Sequence, residues 1–359
     1  MMKEFVLMRA SFLLMAVCVA VLAGCDEKES PAAPQQPAAV VQESGEECLQ
    51  RAIDKLTEDA PDLDAADAAV RKAVELLPDS AEARLVDGQV AYRKKDYKRA
   101  LADFNAVAGE KSLPNALRAK AFVARAVVEI AENEFDAARL TLFRALRLDR
   151  RNAAMWYHLG LLSRNTYHFD EAAVEQFEMA ARLSDPKDPR TQKVRDEVRA
   201  ARAALTAAAA ADPVAAKRDA SMAAKLIAEA DALRKKKMIR AAIKKYEAAF
   251  AADPFSYRAA HETAYLLSLN DKTEGGVDKA LLAYRAAIDQ RPAVQENYYA
   301  AAQLAYANKR WATTVSILNR AIAHDPENLK TLDLFIAALQ KAGKGKQSEA
   351  WKAYRQELR

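Results

Sequence analysis

From about residue 47 onward, apolar residues recur at helical spacing and polar residues fill the remaining faces, the pattern of packed amphipathic helices. β-Branched and aromatic runs of the kind that build a sheet are missing. Proline punctuates the helical pattern at Pro78, Pro114, Pro186, Pro254, Pro292 and Pro326. Each marks a helix end, because proline lacks the N–H and clashes with the preceding turn. The step from Pro292 to Pro326 is 34 residues. Between residues 189 and 222 the regular pattern lapses. Pro186 and Pro189 stop one helix, Thr191 to Ala211 reads as a single long helix, and Asp212-Pro213 ends it.

Between these breaks the same side chains return. The clearest unit starts at Ala153, with Trp156, Leu159-Gly160, Phe169, Ala173, Phe177, Ala180 and Pro186. Earlier units carry Gly88, Tyr92, Ala100 and Phe104, then Phe122, Ala126, Phe135, Ala138 and Leu142. A weaker one holds Ala66, Val70 and Ala73. Later units carry Ala242, Tyr246 and Ala249; Ala280, Tyr284 and Ala287; and Tyr298, Trp311, Leu318 and Ala321. Leu332, Phe335, Leu339, Ala350 and Tyr354 complete a last hairpin with a basic turn from Lys341 to Lys346. This order resembles the tetratricopeptide repeat. The unit at Ala153 departs from it by one extra residue in the turn and by Ser163 where an aromatic is common. Small residues let two antiparallel helices touch, and large ones fill the space between hairpins. A single hairpin cannot bury its apolar face, so neighbours must stack. The expected fold is all-α: a solenoid of about seven helical hairpins plus a C-terminal capping hairpin.

The N-terminus follows another rule. Lys3 and Arg9 precede an apolar stretch, Phe12 to Ala23, and then Leu22-Ala23-Gly24-Cys25. This resembles the bacterial lipobox, and the stretch is shorter than the roughly 20 apolar residues that spanning a bilayer requires. The resemblance implies cleavage before Cys25, lipidation of its sulfur and attachment to a membrane of the cell envelope after secretion. Asp26 and Glu27 resemble an inner-membrane retention signal of enteric bacteria. Acidic residues there also accompany surface export elsewhere, so inner and outer membrane both stay open. Residues up to 46, with Pro31, Pro34 and Pro37, read as a flexible tether. The chain therefore divides into a leader (1–24), a lipidated cysteine and tether (25–46), an N-terminal repeat block (47–188), a connecting segment (189–222) and a C-terminal repeat block with its cap (223–359).

Composition fits this picture. Of 359 residues, 51% are hydrophobic, with Ala prominent, and 7% are aromatic. The first 24 residues carry three charges, and without them the net charge is +4, with signs interspersed, which does not argue for nucleic acid. Of the three cysteines, only Cys48 remains once Cys18 leaves with the leader and Cys25 is lipidated, so no internal disulfide is expected. The four histidines lack ligand spacing, and Gly343-Lys344-Gly345-Lys346 lacks the spacing and the strand of a phosphate loop. No enzymatic site, metal or cofactor is expected. The lysine and arginine cluster from Arg234 to Lys245 falls at a hairpin turn, where it reads as a solvated face or as a grip for acidic segments or anionic lipid.

The tetratricopeptide resemblance further implies that the first helix of each hairpin lines a concave groove. It places Tyr92, Tyr157, His158, Leu161 and Arg164 there in the N-terminal block, and His261, Tyr265, Tyr299 and Tyr306 in the C-terminal block. Tyrosine and arginine are enriched at binding hot spots, so protein or peptide partners are expected. The function expected is that of a membrane-anchored scaffold or adaptor for protein–protein interaction. Two alternatives stay open. One is a pilotin-like assembly factor for a secretin or outer-membrane complex. The other is a helical-repeat lipoprotein with hydrolase or glycan-capture activity.

Overall fold

The computed structural model describes residues 43–58, 60–211 and 218–358. The leader, Cys25 and the tether up to residue 42 lie outside them. Among the described residues every regular element is helical, with seventeen α-helices and one π-helical turn. The helices follow in pairs: α1 (Gly45–Thr57) with α2 (Leu63–Leu76), α3 (Ala81–Arg93) with α4 (Tyr97–Gly109), and α5 (Asn115–Ala131) with α6 (Phe135–Leu148). Then come α7 (Ala153–Leu162), the π-turn (Ser163–Tyr167) and α8 (Asp170–Leu183), and the long α9 (Pro189–Ala211). The remaining pairs are α10 (Ala220–Lys235) with α11 (Ile239–Ala252), α12 (Tyr257–Asn270) with α13 (Glu274–Gln290), α14 (Gln295–Ala307) with α15 (Trp311–His324), and α16 (Leu329–Lys341) with α17 (Gly345–Glu357). The described residues divide into two compact units, one ending at Val128 and the other starting at Glu129. The segment 189–222, where the repeat pattern lapses, falls inside the second.

In the first unit α1 opens at a capping box, in which Ser44 accepts from Glu47 N and the Glu47 carboxylate accepts from Ser44 N. One core gathers Ala52, Leu56, Val70, Val86 and Val90. A second gathers Leu85, Phe104, Val107 and Val128. Cys48 is a free thiol fully buried in α1. Arg99 ties the stack together: it pairs with Asp67 of α2 at 2.6 Å and with Asp87 of α3. Burial and the neighbouring Asp87 push the Asp103 carboxyl up to about 7, against the pull of Arg99 and Arg84.

Two glycines show why the repeat needs a small residue on the first helix. A Cβ on Gly88 would lie 2.5 Å from the Phe104 ring, and one on Gly160 would lie 2.6 Å from the Phe177 ring. The aromatic of the second helix rests directly on the backbone of the first.

The turn inside a pair is equally regular. Lys95, Asn133, His168, Lys237, Lys309 and Gly343 all have positive φ, and each sits between the two helices of its pair. The next residue donates back to the end of the first helix: Asp96 N to Ala91 O at 2.9 Å, Met238 N to Leu233 O at 2.9 Å, Arg310 N to Ala305 O at 2.9 Å. This is the Schellman closure, which satisfies carbonyls that the helix end leaves bare. At residue 168 the closure follows the π-turn, which absorbs the extra residue read from the sequence.

The second unit has a main core of Tyr246, Tyr284, Tyr298, Leu266, Leu267 and Val277 among others. Its last two pairs also return to α6 and α8. The buried Arg139 guanidinium lies between two rings, 4.3 Å from Tyr167 and 5.0 Å from Trp351, and donates to Asn319 at 2.6 Å. Phe143 of α6 meets Trp351 at 6.2 Å and Tyr354 at 6.0 Å. Around this aromatic centre run polar contacts: Arg144 to Glu357 at 2.7 Å, Arg150 to Glu327 at 2.8 Å, and His324 to Glu175 at 3.0 Å.

Candidate peptide groove

The best-ordered group of the expected groove residues is on α12. Tyr257, His261 and Tyr265 are spaced four apart, so they share one helix face. Their rings stack as a ladder, with centroids 5.5 Å and 6.4 Å apart and planes inclined by only 15° and 4°. One end is closed by Arg291, whose guanidinium lies 4.2 Å from the centre of the Tyr257 ring. The other end is open: Tyr265 is 42% exposed and Leu269, one turn on, is 55% exposed.

The ladder is fixed from behind. Asn297 of α14 is buried, its side-chain oxygen lies 2.8 Å from His261 Nδ1, and its amide donates to the Tyr257 hydroxyl at 3.3 Å. An oxygen partner calls for the proton on Nδ1. Charges beside the ladder are paired within the protein: Arg258 with Asp231 at 2.6 Å and Arg234 with Glu262 at 2.6 Å. The exposed surface at Tyr265 and Leu269 is therefore largely apolar. On α14 Tyr299 is half-buried, and Tyr306 packs edge-on against Trp311 at 4.8 Å.

The residues expected on α7 and the π-turn lie differently. Glu197 of α9 pairs with Arg164 at 2.5 Å, and Arg164 in turn lies 5.3 Å from the Phe177 ring. Leu161 is buried in a cluster with Phe177 and Ala201, against which Tyr157 and Val198 pack. The Tyr157 hydroxyl is enclosed with no partner among the described residues, and burial followed by the Glu197 charge pushes it up to about 12. His158 meets Tyr157 edge-on at 5.6 Å, and burial, with help from Lys193, holds it down to about 4. α9 thus covers this stretch, and Leu161 offers no free surface. In the first unit Tyr92 is half-buried with its ring 6.0 Å from Tyr97, and burial raises its hydroxyl above the ordinary tyrosine range.

Sequence reasoning did not single out Tyr257, Asn297 or Arg291 as groove residues. The four-residue step back from His261 was the signal available for Tyr257. Asn297 carried none, since a polar residue in a helix reads as solvent-facing. Among the described residues, no helix is long and apolar enough to cross a membrane, and no cluster of His, Cys, Asp or Glu fits a metal ion.

Paired helices, a small residue set against an aromatic, and a repeated turn occur in both units. The tetratricopeptide repeat family matches residues 58–115 and 123–189. The second tetratricopeptide stretch ends at the first residue of α9, so the ladder lies outside both. No curated protein matches the chain. Solved structures similar to it include the TPR2AB domain of yeast Sti1 in its pHSP90 complex, 17% identical, covering 72% of this chain and 98% of that one, with a TM-score of 0.31. A tetratricopeptide repeat protein from Parabacteroides merdae is 12% identical, with 82% and 98% covered and a TM-score of 0.33. PilW, a type IV pilus biogenesis factor, is 15% identical, with 71% and 97% covered and a TM-score of 0.28.

Proposed function

We propose that this protein is a non-enzymatic scaffold of the bacterial cell envelope, held to a membrane through Cys25, that binds a peptide or helix of a partner protein on α12 and α14. The observation that supports the reading is the ladder. Three aligned rings locked by Asn297 and Arg291 form a rigid platform whose open end presents Tyr265 and Leu269. Rigid aromatic anchors gain binding energy with little loss of side-chain freedom, which is why a few of them dominate many interfaces. The neighbouring ion pairs are internally satisfied, so a partner does not have to break them.

The test places a photo-crosslinking residue at position 265, or at exposed Arg285 on α13 as a control, in cells making the full chain. A discrete adduct is expected from 265 and not from 285. Tyr265→Ala with Tyr299→Ala should weaken recovery of that partner by about 2 kcal/mol or more in total, with an unchanged melting temperature. Full recovery by a folded double variant would refute the groove. The anchor is tested separately, by the mass of the mature N-terminus: an unmodified Cys25 there would remove the membrane part of the reading.

A further inference from the structure

From α10 onward, three of the four turns between first and second helices carry an excess of lysine, while the earlier α5–α6 and α7–α8 turns carry none. Lys235, Lys236 and Lys237 project at the α10–α11 turn, Lys309 at the α14–α15 turn, and Lys341 and Lys344 at the α16–α17 turn. All are exposed, and none makes an ion pair among the described residues, although most arginines of this unit do. The turns of the last two pairs are neighbours, since Lys309, Trp311, Lys341 and Ala342 line one shallow depression. The α12–α13 turn is mixed: Lys272 stands beside Asp271 and Glu274, and Asp271 is engaged by Thr273. Asp278, the next acid on α13, is taken by Arg310. From α11 onward the turns between pairs carry the other sign at two of three places, Asp253 and Asp325.

One detail bears on what this edge meets. Met238 follows Lys237 and is 51% exposed, an apolar side chain set among cations at the outermost point of a turn. An acidic peptide would call for a cleft lined by the cations. An exposed hairpin tip, with an apolar residue beside its lysines, fits a flat anionic surface with a hydrocarbon layer beneath it.

We infer that this lysine edge rests on the anionic lipid headgroups of a bilayer, with Met238 entering the interface. Contact of this kind orients the second unit edge-on to the membrane. It does not depend on Cys25 or on the groove, so each can fail without the others.

The test uses the full chain carrying Cys25→Ser, mixed with vesicles of phosphatidylcholine alone or of equal parts phosphatidylcholine and phosphatidylglycerol. The readout is the difference between the two, compared across variants that share the same leader. Stronger binding to the anionic vesicles is expected, and it should fall as salt rises. Reversing Lys235, Lys236 and Lys237 to Glu should weaken that excess by roughly 100-fold or more, at about fivefold for each cation lost. Reversing Lys330, Arg285 and Lys352, which are exposed elsewhere on the same unit and change the net charge equally, should leave most of it. Met238→Ser should weaken it several-fold without a change in melting temperature. Equal binding to both vesicles, or equal losses from the two triple variants, would overturn the inference. So would capture of polyglutamate, in place of anionic vesicles, by the lysine edge.

Discussion

His158 shows how far one side chain can be moved from its ordinary chemistry. Burial, with Lys193 nearby, lowers its pKa to about 4 from an ordinary 6.5. The folded state favours the neutral ring, so this group's contribution to stability is full above about 6.5 and is lost as pH falls toward 4. His158→Gln should flatten the dependence: its melting temperature should sit below wild type at pH 7 and approach or exceed it near pH 4. Parallel melting curves for the two proteins from pH 7 to pH 4 would show that the ring is not the titrating group. The same residue marks the reach of sequence reasoning. It was assigned to a groove by its place on a first helix, and the helix placement holds. What covers that helix is α9, whose segment the repeat pattern does not describe, so the loss of open surface at Leu161 and Arg164 was not legible. On α12 the stripe itself was legible through His261 and Tyr265. Its rigidity was not, because Asn297 and Arg291 lie on other elements and carry no spacing signal.

At the scale of the element, the helix pair is specified by a few steric rules. Gly160 is the sharpest: an added methyl would overlap the Phe177 ring at 2.6 Å, and Ala173 and Phe177 are fully buried around it. Gly160→Ala removes a backbone entropy cost within a helix, worth up to about 1 kcal/mol of gain. Overpacking a tight crossing costs typically about 1–3 kcal/mol. The clash should win, lowering stability by about 1 kcal/mol in denaturant melts, with an unchanged slope. Phe177→Leu in the same chain should recover part of the loss, since the ring edge is what the methyl meets. A neutral or stabilising Gly160→Ala would mean that the two helices can move apart freely. The pairing of helices was legible because the small and aromatic positions repeat. The turn geometry was not. Lysine, asparagine and histidine hold five of the six left-handed positions, so the usual glycine marker is present only at Gly343. The extra residue after Ser163 was visible as a break in the repeat, and only the structure shows it taken up as a π-turn with Ser163 donating to Gln176 at 2.7 Å.

At the scale of the molecule, the second unit is more than a row of neighbours. Its last two pairs pack back onto α6 and α8 through contacts separated by up to 213 residues in sequence. A repeat pattern describes how each hairpin meets the next, so nothing in it announces such a return, and Arg139 reads in sequence as one more solvated cation. The contact has two unequal parts. The pairs at its rim are individually weak: Arg144 is 21% exposed and Glu357 is 40% exposed, and such pairs contribute about 0.2–1 kcal/mol. The centre is Trp351, 1% exposed, against Phe143, Phe335, Tyr354 and the Arg139 guanidinium. Truncating a buried tryptophan removes about 3–5 kcal/mol. It also strips one face from a buried cation. Trp351→Ala should therefore release α17 from α6. Hydrogen exchange should show amides 345–357 and those of α6 losing protection together, while α10 to α13 keep theirs. Glu357→Ala should change the same amides by less than about 1 kcal/mol. If Trp351→Ala lowers protection evenly through the second unit, the return contact is part of one cooperative fold and not a separable docking. If α6 keeps its protection while only α17 frays, the tryptophan serves its own hairpin alone, and the aromatic sandwich around Arg139 does not join the two ends of the unit.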